Sequence, residues 1–519
     1  MSEDKTAASA QDRVDPYSWY VLSILVLVYI LNFVDRQILS ILANDIKRDL
    51  GLSDAYLGFL YGTAFAVFYA LFGIPLGRLA DSWHRVRLMS IGLALWSVMT
   101  AVSGFARNGT MLTGARVGVG VGEATASPAA YSLIADLFPR RMRATALAIY
   151  SSGLYLGGGL SVLFGGEIAE RWNAAFPGGG PLGLVGWQAA FVAVGLPGLL
   201  LALWVATIRE PVRGAIDGIP SPSDPQPFKG FAIELLDLTP VGAMLRGPRA
   251  MLHNLLAAVV IAAAVYGLTW LTGPEHWLQW LFVGIGVYCV FSWANAIRER
   301  DPPTFALIWG TPAFLCTTLG YGMVAFIGYA AGYWSAPYAE RAFGISKAVI
   351  GWTVGAPAAL AGFLGVILGG LLADRLQARF ANGRVMVVLM GLLATALPLF
   401  ATYRAETFTS FAVLSFITVM CYSSALGAAA AASQALVLPR MRGTATATFF
   451  IATTLVGLAL GPFMAGYISS TNGDDLALGV TSTLIAVPIG TVLLIYALRQ
   501  FPAAAASLEA RARAAGEAI

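Results

Sequence analysis

Four ionisable side chains sit inside stretches that are otherwise apolar: Asp35 and Arg36 within YILNFVDRQILS, and Arg116 and Glu123 within TGARVGVGVGEATASPAAY. An ionisable group at the centre of a membrane-spanning helix costs about 2.5–3.5 kcal/mol on insertion scales, so such residues tend to line cavities and act there. Arg116 and Glu123 are seven residues apart, two helical turns, and therefore share one face with Gly120 between them. Two carboxylates and two guanidinium groups in a poorly hydrated cavity suit proton uptake and release, or the capture of an anion. A carboxylate there takes up a proton unless an arginine holds it ionised, so an exchange of partners with conformation would couple a proton to a gate. Asp35 is the expected principal protonation site and Glu123 a relay or second site; Arg116 is the partner of Asp35 or a clamp for a substrate anion, and Arg36 a further charge partner. The plainer alternative is a structural salt bridge between helices.

These residues must be held by membrane-spanning helices. Of 519 residues, 58% are hydrophobic and only 12% charged, against about 25% charged in a soluble domain. Too few charges remain to cover a water-soluble globule, and apolar runs of about 20 residues, the length that crosses a bilayer, recur from Tyr17 almost to Tyr496. The pattern predicts an all-α polytopic membrane protein with fourteen spans. A cytoplasmic tail over 1–16 lacks the apolar stretch of a signal peptide and is expected to be retained. A six-helix bundle follows over 17–208, with spans near 17–45, 54–79, 86–106, 110–135, 144–168 and 184–208. A cytoplasmic linker with an interfacial helix occupies 209–250, and two accessory spans occupy 251–297 around the turn-like Gly273-Pro274. The second bundle covers 298–498, with spans near 304–336, 347–373, 384–403, 406–436, 443–469 and 477–498, and a cytoplasmic tail closes the chain over 499–519.

An inserted pair of spans returns the chain to the side it left, so both bundles keep one orientation. With both termini inside, 23 of the 32 Lys and Arg fall on the inner side and seven on the outer, as the positive-inside rule requires of a multi-pass protein of the cell's inner (plasma) membrane. At about 1.5 Å per residue, Asp35, Arg116 and Glu123 then lie roughly 15, 9 and 20 Å below the outer surface, close enough to share one cavity.

The chain also repeats itself. GRLADSWHR from Gly77 is echoed by GLLADRLQAR from Gly370, so Asp374 follows Asp81 by 293 residues; the same offset carries Gly51-Leu52-Ser53 onto Gly344-Ile345-Ser346, and RATA from Arg143 recurs as RGTA from Arg442. Parallel repeats of this kind belong to transporters whose halves rock about a site near the bilayer midplane. Asp35, Arg36, Arg116 and Glu123 map onto Gly328, Tyr329, Phe416 and Ser423, all neutral, which points to a task specific to the first half.

The stretch Gly77-Arg78-Leu79-Ala80-Asp81-Ser82-Trp83-His84-Arg85 resembles the signature of the major facilitator superfamily, Gly-x-Leu-Ala-Asp-Arg-x-Gly-Arg-Arg, with His84 where the family has glycine. The resemblance implies a cytoplasmic gate built on Gly77, Asp81, Arg85 and the repeat-related Asp374, in which a carboxylate at a helix end pairs with the facing bundle only when that side is closed. Capping of helix ends is the alternative role for Asp81 and Asp374. Asn32-Phe33-Val34-Asp35-Arg36, Leu79-Ala80-Asp81 and Arg116-x-x-x-Gly120-x-Gly122-Glu123-Ala124 together resemble the spinster family, over both bundles but not the inserted spans. That resemblance implies a monomeric secondary transporter working by alternating access, proton-coupled, moving an amphipathic anionic lipid such as a lysophospholipid or a sphingosine 1-phosphate-like molecule. Its partners would be that substrate, protons and membrane lipid.

Other signals are weaker. Tyr329, Tyr333, Trp334 and Tyr338 in span seven could line the cavity or pack. GLYLGGGLSVLFGG in span five and Gly461-Pro462 in span eleven let helices approach closely or hinge. Cys289, Cys316 and Cys421 are too scattered for a metal or redox site, and His84, His253 and His276 lie on three separate segments without a triad or metal spacing. No GxxxxGK[ST] sequence is present, so no nucleotide and no cofactor is expected, and nothing suggests nucleic-acid binding. The alternatives to lipid transport are a drug/proton antiporter or a small organic-anion/proton symporter. From other classes, a membrane-embedded enzyme or a non-transporting receptor on the same fold would fit less well.

Overall fold

The computed structural model describes residues 15–217 and 224–518. The expected tail up to residue 14 and the part of the linker over 218–223 lie outside the described residues. Among the described residues there is no strand, and thirteen helices are long and apolar enough to cross a membrane.

Span one runs Pro16–Leu50, opened by Pro16 in the first turn and by Asp15, whose carboxylate accepts from Tyr17 N at 2.9 Å. It ends at Gly51, φ 64°, a left-handed conformation that glycine adopts without steric penalty. Span seven, Pro312–Phe343, ends the same way at Gly344, φ 62°. The repeat therefore extends to the residue that stops each helix. Span two, Asp54–Ser82, span three, Arg85–Ser103, span five, Arg140–Ala175, and span six, Gly186–Ala206, complete the first bundle around span four.

Span four is the predicted crossing absent from the thirteen. It is split into Gly109–Glu123 and Ala126–Leu137, neither long enough to cross alone. Thr125 Oγ1 donates to Gly122 O at 2.9 Å, a local bond that competes with the helical ladder. Span ten breaks at the related place, between Phe408–Ser423 and Ala425–Gln434, where Ser424 Oγ donates to Cys421 O at 2.7 Å.

The second bundle holds span eight, Lys347–Gln377, span nine, Gly383–Thr402, span ten, span eleven, Pro439–Thr471, and span twelve, Leu476–Ala506. Span seven begins at Pro312, not near residue 304. Residues Pro302–Ile308 instead form a separate short helix, because Pro312 disfavours helical geometry at Thr311 and restarts the helix. Between the bundles lie helices Pro227–Asp237 and Pro240–Leu245, then two long inserted helices, Pro248–Thr272 and Trp277–Arg300.

Spans one and seven meet near the pseudo-twofold axis. Ser40 Oγ donates to Tyr333 O at 2.5 Å and Asn44 Nδ2 to Pro337 O at 3.1 Å, each pair separated by the repeat offset of 293 residues. We call the end carrying Asp15 and Ala518 proximal and the opposite end distal.

Candidate functional site

A cavity of about 1200 Å³ lies between the bundles and reaches the proximal surface. Its wall is aromatic and small-residued: Tyr29, Phe33, Tyr61 and Tyr69 from the first bundle face Tyr321, Tyr329 and Tyr422 from the second, with Gly158, Gly159 and Gly355 where spans five and eight meet. Arg36 is the one predicted intramembrane charge whose side chain lines it.

Span one sets Arg36 on the cavity side and Asp35 behind it. Arg36 Nη2 and Nε reach Glu123 Oε2 at 2.7 and 3.2 Å, across 87 residues of sequence. The guanidinium is further flanked by the rings of Phe65, Tyr69 and Phe33, 4.4, 5.0 and 4.7 Å from their centroids. Arg116 lies 5.7 Å from the Phe65 centroid, so this ring is shared by two guanidinium groups. Gly120 permits the arrangement: a Cβ there would stand 2.6 Å from Phe65 O, so no larger residue lets span four lie so close to span two.

The pairing differs from the sequence expectation. Arg116 Nη1 donates to the backbone carbonyl of Asp35 at 3.2 Å and makes no ion pair with the Asp35 carboxylate. Its Nε and Nη2, both Asp35 carboxylate oxygens and Glu123 Oε1 are buried without a hydrogen-bond partner. Trp96 and Thr100 of span three lie beside the Asp35 carboxylate, and their own donors are likewise unpartnered. A guanidinium held by one carbonyl is poorly compensated. The pair is thus placed side by side but not joined. Asp35, Arg116 and Glu123 are all enclosed behind the cavity wall.

Tyr329 lines the cavity, whereas Tyr333 is fully buried on the distal side, stacked on Tyr61 with centroids 4.2 Å apart. The residues of the expected proximal gate stand apart. Gly77 and Asp81 line the cavity mouth opposite Arg440 and Arg442, and among the described residues neither Asp81 nor Asp374 makes an ion pair. Arg85 is fully buried and bound to span four and the start of the linker: Nε meets Glu210 Oε1 at 2.6 Å, Nη1 meets the Asp136 carboxylate and Ser132 Oγ, and Nη2 donates to Pro211 O at 2.8 Å. At the same mouth Arg440 hydrogen bonds hold the Asp301 carboxyl down at about 2.

The distal end is closed by charges that sequence reasoning counted only as loop positives. Lys47 Nζ meets Asp54 at 3.0 Å and Asp474 at 2.7 Å, and Lys347 meets Glu340 and, at 3.3 Å, Asp45. The repeat held the signal: offset 293 carries Lys47 onto Glu340 and Asp54 onto Lys347, the same seven-residue ion pair with its signs reversed.

A deep cavity open at one end of two pseudo-symmetric bundles, sealed at the other by ion pairs, is the architecture of a secondary transporter. The chain belongs to the Major Facilitator Superfamily, whose family model matches residues 25–339 and 319–515. It is similar to an MFS-type efflux pump of Mycolicibacterium smegmatis, 28% identical over 469 residues, 90% of this chain and 88% of that one. It is also 23% identical to protein spinster of Drosophila melanogaster over 87% of this chain, spanning 62% of the fly protein. Among solved structures it resembles a bacterial homolog of the human lysosomal transporter spinster in an inward-facing and unoccupied conformation. There the TM-score is 0.68 at 28% identity, covering 96% of this chain and 98% of that chain. The protein is a membrane transporter of small molecules and not an enzyme.

Proposed function

We propose that the protein is a proton-coupled transporter of an amphipathic anion, a lysophospholipid or a sphingosine 1-phosphate-like lipid, acting in the plasma membrane as a monomer with its proximal end in the cytoplasm. The positive-inside count supports that orientation, which makes the described state inward-open. The observation that carries the reading is the cavity wall itself: about 1200 Å³ of mostly aromatic and small-residue surface with one guanidinium, Arg36, inside the chamber, the other lining arginines, Arg78, Arg300, Arg440 and Arg442, standing at the mouth. A cavity of this size exceeds the roughly 300–1000 Å³ of a drug-sized site, and a cation set deep among aromatic rings suits an anionic head with a long tail.

Coupling follows from the buried charges. Arg36 is shared between Glu123 and an incoming anion, so an anion that takes Arg36 leaves Glu123 without its partner. Glu123 then takes up a proton or turns to Arg116, which lies two turns away on the same helix. Asp35 stores the coupling proton as the neutral acid and releases it when movement of the bundle brings the Arg116 guanidinium onto its carboxylate. The proximal gate residues Asp81 and Asp374 pair with the facing bundle only in the outward-open state.

Purified protein in liposomes carrying an internal pH indicator tests this reading. Lysolipid-dependent proton movement supports it. Proton movement driven by lipophilic cations and not by lysolipids would instead favour a drug/proton antiporter, the reading that the likeness to the mycobacterial efflux pump supports.

A further inference from the structure

The second inserted helix, Trp277–Arg300, lies in the seam between spans two and eleven and touches both bundles. Phe282 packs against Phe59 and Phe68 of span two, with ring centroids 5.6 and 5.2 Å apart. Toward span eleven, Gln279 Nε2 donates to Ala459 O at 3.4 Å and Trp280 stands edge-on to Phe463 at 5.6 Å. Gly286 marks the tightest point, where an added Cβ would lie 2.9 Å from Leu455 Cδ2 of span eleven and 3.5 Å from Val67 Cγ1 of span two. Over the next three turns, Cys289, Trp293 and Ile297 form a single buried cluster with Val67, Ala70 and Leu71 on one side and Ile451 and Leu455 on the other.

The same helix reaches the cavity. Trp293 and Ile297 line its wall, and Arg300 stands at the mouth with its charge met by Asp237 at 2.9 Å and Glu234 at 3.3 Å. The paired Arg300 is therefore no free anion clamp, and what the helix offers a ligand is apolar surface. The first inserted helix carries no such contact with the cavity; the most apolar window of Pro248–Thr272 is fully unburied, as for a helix bathed in lipid. Spans two and eleven also meet directly, but toward the distal end, at Gly58 and Gly62; at the pseudo-symmetric seam spans five and eight meet with Gly159 against the Gly355 carbonyl.

We propose that the second inserted helix is a built-in wall of the substrate path: it closes the seam between spans two and eleven to lipid, and Trp293 and Ile297 contact the apolar tail of the cargo. The tail assignment rests on the amphipathic-anion reading above; the wall assignment does not. A tail in the cavity packs on Trp293 and Ile297 in place of lipid, so their size sets the tail length accepted. The helix also bars the cargo from exchanging with the bilayer through that seam.

Single cysteines in a chain lacking Cys289, Cys316 and Cys421 separate the two layers of the proposal. Ile297→Cys and Trp293→Cys are expected to react with a membrane-impermeant maleimide from the proximal side about tenfold faster than Phe291→Cys, which lies at similar depth on the exposed face. Equal or slower labelling of 293 and 297 would overturn the wall whatever the substrate. In liposomes, Trp293→Ala is expected to shift the preference between short and long lysolipid tails by about tenfold while Phe291→Ala leaves it unchanged. An unchanged preference in a folded Trp293→Ala protein would overturn the tail contact. A wild type that carries no lysolipid would overturn the substrate reading and the tail contact together, and the labelling still decides the wall.

Discussion

Arg341, near the end of span seven, donates Nη1 and Nη2 to the two carboxylate oxygens of Asp54, at the start of span two, at 2.8 and 2.7 Å. The Asp54 side chain is fully buried and also accepts from Lys47 Nζ at 3.0 Å and Ser469 Oγ at 2.8 Å, so one carboxylate collects donors from both bundles. Leaving one side of such a buried pair unpaired is destabilising by about 3–5 kcal/mol. The bonds from Arg341 and Ser469 cross between the bundles and join them at the distal end.

Asp54→Asn is therefore expected to move the population toward distal opening. A cysteine placed at Ser335 in the cavity should then label from the distal side at least about tenfold faster than in the parent, since each 1.4 kcal/mol shifts the equilibrium tenfold. Unchanged labelling would mean that the cluster does not hold the gate.

The distal seal between spans two and eleven depends on two glycines. A Cβ on Gly58 would lie 2.3 Å from Pro462 O, and one on Gly62 would lie 2.4 Å from Leu458 O, both backbone atoms that cannot step aside. Gly58→Val should hold that seam apart, leaving a folded protein with less than about a tenth of wild-type flux. Near-normal flux would show that the bundles close without this contact.

Arg36 and Glu123 form a pair whose side chains are 7% and 0% exposed. Arg36→Ala leaves the Glu123 carboxylate buried and alone, and a loss of about 3–5 kcal/mol in stability is expected. Adding Glu123→Gln should recover most of it, which a double-mutant cycle on thermal unfolding in detergent measures. Losses that simply add would show that the two residues do not interact.

At the proximal mouth, Asp301 accepts from Arg440 at 2.7 and 3.1 Å, and these hydrogen bonds hold its carboxyl at about 2. A depressed carboxylate contributes stability above its unfolded value of about 3.9 and loses it as pH falls through about 2. The contact should thus be constant across pH 5–9, and because both groups are partly solvated Asp301→Asn should lower stability by about 1 kcal/mol or less. A loss that varies with pH within that window would place another titrating group at the mouth.

The class of fold was legible because span length, charge bias and the repeated Gly77 and Gly370 stretches each act locally or by counting. The charged residues of spans one and four were legible as a group because burial in the bilayer makes them rare. Their pairing was not. Sequence depth supplies the axial position of Asp35, Arg36 and Glu123, but the partner of each depends on how far span one is rotated, and one residue is 100° of rotation. That rotation turns Arg36 toward Glu123 and the cavity, and Asp35 toward Trp96 and Thr100. The distal lock was hidden for a different reason: Lys47, Arg341 and Lys347 look like ordinary loop charges until both bundles are brought together.

The most direct test of the account is proton movement in liposomes containing wild type, Asp35→Asn and Arg116→Ala, with an imposed pH gradient and a lysolipid substrate. The account predicts substrate-dependent proton movement in the wild type, its loss in Asp35→Asn with substrate exchange retained at equal pH, and loss of both in Arg116→Ala. Unchanged proton-coupled flux in both variants would contradict it and return these buried charges to a purely structural role.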